Sequence, residues 1–169
     1  MRPITFACEA TLGLSADEIA RRILDLANWP DFKGFAMIPG IRSAEYEVRT
    51  PAVVGSRIRV TNRDGSSHVE EIVEWQPDQR LRLHMHDFSA PLSRLATSFE
   101  ETWEFTRADN ATRVSRSFKL HPKSAVAWPL LRMISVFLKK AIARHLVAMA
   151  PTREPTNEDS FSSRRDKAR

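Results

Sequence analysis

Six segments of the chain, 41–48, 56–62, 67–75, 80–88, 97–106 and 111–120, read as strands in unbroken succession, and the links between them are short. A crossover between parallel neighbours takes a dozen or more residues, so successive segments must pair antiparallel. The turn chemistry agrees, with Asp64-Gly65, Pro77-Asp78 and Asp109-Asn110 standing between segments. A meander of this kind has one apolar face, and something in the remaining chain must cover it.

Two helices supply the cover. Ser15-Ala16-Asp17-Glu18 follows an alternating segment from Ile4 to Leu12 and carries a capping-box pattern, which predicts a helix over 16–27 that ends before Pro30. Its Ile19, Ile23, Leu26 and Ala27 share one side. After Pro122 a second helix is expected over 127–150, with Leu130, Met133, Ile134, Phe137, Ala141, Ile142 and Leu146 at helical spacing. Beyond Pro151 the chain turns to Pro, Ser, Thr and mixed charge, so one domain over 1–150 and a disordered polar tail over 151–169 are expected.

This order of elements, together with Trp29-Pro30-Asp31-Phe32 after the first helix, Ile38-Pro39-Gly40-Ile41 entering the next strand, Gly55, Glu74-Trp75-Gln76-Pro77 and Trp103, resembles the START-like or Bet v 1-like helix-grip (SRPBCC) superfamily, in its polyketide cyclase/dehydrase and lipid-transport branch. The resemblance covers about 1–150. It implies an α+β helix-grip fold, in which a curved antiparallel sheet of about seven strands wraps a long C-terminal helix around an apolar pocket.

Strand side chains alternate between faces, so the hairpin register decides which residues look into that pocket. Closing Asp64-Gly65 as a two-residue turn sets Val60 opposite Val69 and Ile58 opposite Glu71. The apolar face then takes Ile58, Val60, Val69, Val73 and Trp75, continues through Leu81, Leu83 and Met85, and ends on Phe99, Trp103, Phe105, Val114, Phe118 and Leu120. Met133 and Phe137 of the last helix are expected to face it. Arg57, Arg59, Glu70, Arg80, Arg82 and Arg113 fall on the opposite, solvated face.

Three charges, Glu71, Glu101 and Arg116, are in phase with the apolar side chains. A buried charge is costly unless paired, and Glu101 and Arg116 lie on adjacent strands within reach of each other. They form either a structural ion pair or a ligand site, in which Arg116 anchors an anionic group and Glu71 or Glu101 accepts a proton. His84 and His86 leave the same face of one strand, and zinc would accept such ligands. With no second ligand motif beside them they read as solvated strand histidines, and neither a metal nor a cofactor is expected.

The single cysteine, Cys8, excludes an internal disulfide, and the N-terminus carries no apolar run after a basic start, so a reducing cytoplasm is expected. The longest apolar stretch, Ala125–Leu138, is shorter than the roughly 20 residues a spanning helix needs. The net charge of +5 is interspersed along the chain, with no basic block of the kind that grips nucleic acid. Nucleophile-elbow, phosphate-loop and dinucleotide motifs are lacking. Three functions stay open: holding a small hydrophobic molecule such as a lipid, isoprenoid or polyketide-like aromatic; cyclase or dehydratase chemistry with a pocket carboxylate and Arg116; and a membrane-surface or protein-interaction module using Ala125–Leu138 and the basic tail over 151–169, with peripheral contact to anionic lipid. The sequence leaves turnover and oligomeric state undecided.

Overall fold

A computed structural model describes Arg2–Ala150; the expected tail over 151–169 lies outside the described residues. Nine strands and two α-helices follow in the order β1 (Ile4–Leu12), α1 (Ala16–Leu24), β2 (Gly34–Phe35), β3 (Ile38–Pro39), β4 (Ile41–Val48), β5 (Arg57–Asn62), β6 (Ser67–Gln76), β7 (Arg80–His86), β8 (Ala96–Ala108), β9 (Ala111–Pro122) and α2 (Ala127–Ala148). Seven strands form one antiparallel sheet in the order β1-β9-β8-β7-β6-β5-β4, so the first strand closes against the last. The helix-grip architecture expected from the sequence is present.

Local chemistry accounts for the ends of the elements. Ser15 and Glu18 make the reciprocal capping box at the start of α1. The chain leaves α1 at Asp25, whose extended backbone breaks the helix and whose side chain accepts from the Ala27 N–H to start a 3-10 turn over Leu26–Asp31, so α1 is shorter than the expected helix. Trp29 locks that turn to α1 by donating its indole N–H to the Ile23 carbonyl at 2.9 Å. Gly34 takes φ +74° at the β2–β3 hairpin, which projects towards α2.

The register of β5 and β6 differs from the sequence expectation by one residue. Asn62 accepts from Gly65 and donates to the Ser66 carbonyl, so the loop has three residues, with Gly65 in the left-handed region at φ +87°. Ile58 therefore faces Glu70, Val60 faces His68, and Glu71 faces Arg57. A second irregularity follows between Ile72 and Glu74, where a bulge at Val73 restores Trp75 to the side of Leu81. The concave side of β6 thus carries His68, Glu70, Ile72 and Trp75. Val69, Glu71 and Val73, expected in the pocket, do not face it, although Val69 is fully buried on its own side.

The core occupies the concave side of the sheet. Ile58 and Val60 are entirely buried there with Leu12, Ile19, Leu81 and Val114, as packing rather than cavity wall. On α2 the inward positions are Leu131, Ile142 and Leu146. Met133, expected to face the pocket, is exposed on the outer side, and Phe137 is half-buried against Phe35 with ring centroids 6.3 Å apart. The helix is apolar nearly all round, so spacing alone did not select the face that the sheet covers.

Candidate functional site

Between the concave sheet and α2 lies a cavity of about 760 Å³. This is within the range of roughly 300–1,000 Å³ that small-molecule sites occupy. Of the side chains expected to line it, Leu83, Met85, Phe99, Glu101, Trp103, Arg116 and Phe118 do so. Ile134, Leu138 and Ile142 close it from the helix, and Trp29 of the 3-10 turn and Phe32 just after it also line it. The rim is polar, with Asn28, Asp31, Lys33 and Asp64.

Charge enters this apolar space at two places. Arg116 stands directly opposite Trp103 and diagonally across from Glu101, and its Nε donates to a Glu101 carboxylate oxygen in a short ion pair. Its Nη1 lies 3.1 Å from Nδ1 of His145 on α2. Because a guanidinium can only donate, the His145 proton sits on Nε2. The guanidinium carbon is 4.4 Å from the centre of the Trp103 ring and 5.4 Å from that of Phe118, so the cation lies over two aromatic rings as well as being paired.

The second place is β6, where Glu70 is buried and accepts from Nε2 of His68 at 3.0 Å. Both line the cavity. Sequence reasoning set Glu70 on the solvated face because the extra loop residue, which alternation alone does not reveal, inverts the strand. His145 was also missed, since a lone histidine near a helix end carries no signal until the packed face is known.

Burial sets the electrostatics. Desolvation holds the Glu101 carboxyl above the usual range; Arg116 offsets part of this, and the neighbouring Glu70 charge adds to it. The Trp103 indole N–H points near that carboxyl but makes no hydrogen bond of ordinary geometry. His145 is lowered to about 4, first by desolvation and then by the Arg116 charge, so at neutral pH it is an uncharged acceptor. The cavity therefore offers an apolar volume with a cation, two carboxyls and two imidazoles, able to hydrogen-bond a polar group or exchange a proton with it.

Comparison with solved structures finds the same fold at low sequence identity. A protein from Thermus thermophilus matches with TM-score 0.65 and 19% identity over 86% of this chain and 93% of its own. A START superfamily protein from Mycobacterium smegmatis matches with TM-score 0.62 and 12% identity over 86% and 99%. Ara h 8.0201 matches with TM-score 0.60 and 18% identity over 86% and 99%. At such identities the likeness speaks for the fold alone. Comparison with curated proteins finds no match. The model of the family described as polyketide cyclase / dehydrase and lipid transport matches residues 3–154, nearly the whole of the described chain. The chain belongs to that family, within the START-like helix-grip superfamily.

Proposed function

We propose that the protein holds one small, largely apolar molecule, of the lipid, isoprenoid or polyketide-aromatic kind, between the sheet and α2. The observation that carries this reading is the cavity of about 760 Å³, walled by Leu83, Phe99, Phe118, Leu138 and Ile142, with its charged groups gathered at two places and at the rim. The ligand's apolar body lies against these walls, and its polar group reaches the Glu70–His68 pair. Native mass spectrometry of freshly purified protein is expected to show an adduct of a few hundred daltons, whose extract identifies the class. Leu138→Trp, which fills the cavity from the helix, should weaken binding of a fluorescent fatty acid at least about tenfold, or 1.4 kcal/mol. Unchanged affinity in a folded variant would refute the reading.

A second reading, cyclase or dehydratase chemistry, is favoured by the Glu70–His68 pair at 3.0 Å inside the cavity. A carboxylate that orients an imidazole is a workable proton acceptor for a carbon acid held against it. The pair takes the part for which the sequence offered Glu71 or Glu101, while Glu101 is held by Arg116. A peripheral contact with anionic membrane is favoured by a different observation: Val126, Leu130, Met133 and Val136 are exposed along the outer side of α2, near Lys139 and Lys140.

A further inference from the structure

On the solvent side of the sheet the one-residue shift in β6 has a chemical consequence, because it brings Glu71 into register with two histidines. Glu71 stands directly opposite His84, and His86 is its diagonal neighbour on the same face of β7. One donor atom from each of the three lies within 4.8 Å of the other two. Zinc holds nitrogen and oxygen ligands at about 2.0–2.1 Å, which sets tetrahedral donors roughly 3.4 Å apart. Rotation of these half-buried side chains by about an ångström therefore completes three corners of a tetrahedron.

The surroundings prepare the donors. His86 Nδ1 faces the Asp87 carboxylate at 3.2 Å, which favours the proton on that nitrogen and leaves the Nε2 lone pair free. Nε2 is buried and has no hydrogen-bond partner among the described residues, and a Glu71 oxygen lies 3.8 Å from it. A buried imidazole nitrogen with no partner is unusual and costs free energy unless something binds it. Glu71 makes no arginine ion pair among the described residues, although Arg57 stands opposite it. Arg82, the cation next along the strand from His84, is held by Glu74 and Glu100 at 3.8 and 3.5 Å. The Glu71 charge is thus left to offset a cation.

We propose that Glu71, His84 and His86 form a zinc(II) site of two imidazoles and one carboxylate, with Asp87 orienting His86 and the fourth position open to water. Three protein ligands plus an exchangeable position make a moderate-affinity site that staples β6 to β7, on the sheet face opposite the cavity.

The test uses the full chain stripped by a chelator. Zinc titrated by calorimetry is expected to bind one equivalent and to raise the melting temperature, and cobalt(II) in its place is expected to show the ligand-field bands of a four-coordinate N/O site. Losing a partner that only orients a ligand already weakens metal binding about 10–100-fold, so Glu71→Gln and His86→Ala should each lose at least as much. Glu9→Gln, at the exposed ion pair with Arg113 on the β1 edge of the sheet, should bind as the parent does. Should His86→Ala fail to fold, the half-exposed Glu71→Gln decides alone. Absence of stoichiometric binding, affinity unchanged in folded Glu71→Gln, or loss of binding in Glu9→Gln would overturn the assignment.

Discussion

Arg116 is enclosed by partners of different chemistry: the Glu101 carboxylate at Nε, the His145 imidazole at Nη1, and the faces of Trp103 and Phe118. Removing one member of such a set strands the others, so Arg116→Met should cost about 3 kcal/mol in urea unfolding at pH 7. Glu101 sits above its ordinary pKa in the fold, so it binds its proton more tightly folded than unfolded, and its contribution to stability declines as pH rises. Below about pH 4.5 it is protonated in both states, and the Arg116→Met penalty should shrink there. His145 acts in the opposite sense. Its pKa falls from the ordinary 6.5 to about 4 on folding, so between these values the unfolded chain binds the extra proton and stability is lost as pH falls through the window. The loss is on the order of 3 kcal/mol across it. His145→Gln keeps an acceptor for Arg116 and should flatten the fall in melting temperature between pH 7 and 4.5; an unchanged slope would contradict this assignment.

At the scale of elements, two glycines separate local strain from a steric block. Gly65 closes the three-residue loop at φ +87°, and a Cβ there meets nothing within 4 Å. Gly65→Ala should therefore cost only its conformational penalty, about 1 kcal/mol. Gly34 has a similar φ, but its Cβ would run into the Ile38 carbonyl oxygen and come within 2.6 Å of the Gly40 nitrogen. Backbone cannot yield as a side-chain tip can, so Gly34→Ala should open the β2–β3 hairpin at the cavity rim. Paired urea titrations are expected to rank Gly34→Ala clearly below Gly65→Ala in stability. The extra loop residue and the bulge at Val73 also explain why part of the site was hidden: each shifts a period-two pattern by one, and the pattern reads equally well in either phase.

For the whole molecule, no helix among the described residues is long and apolar enough to cross a membrane. If the exposed stripe of α2 docks peripherally, the full chain should cosediment with anionic vesicles. Added salt should weaken that binding as it screens Lys139 and Lys140. The double variant Leu130→Ser, Met133→Ser should reduce it while leaving fatty-acid binding in the cavity unchanged, because both side chains are on the outer side of the helix.

The sequence by itself determined the architecture and half of the charged centre. Short connections force antiparallel neighbours, Pro and capping residues bound the helices, and the alternation of Val114, Arg116 and Phe118 directs Arg116 inward towards Glu101. Only the tertiary structure decided which face of β6 and which face of α2 meet the cavity. The loop register and the bulge are set by how strands settle against their neighbours. An evenly apolar helix takes its inward face from the sheet it packs on. Those two choices put Glu70, His68 and His145 inside and sent Glu71 out to His84 and His86.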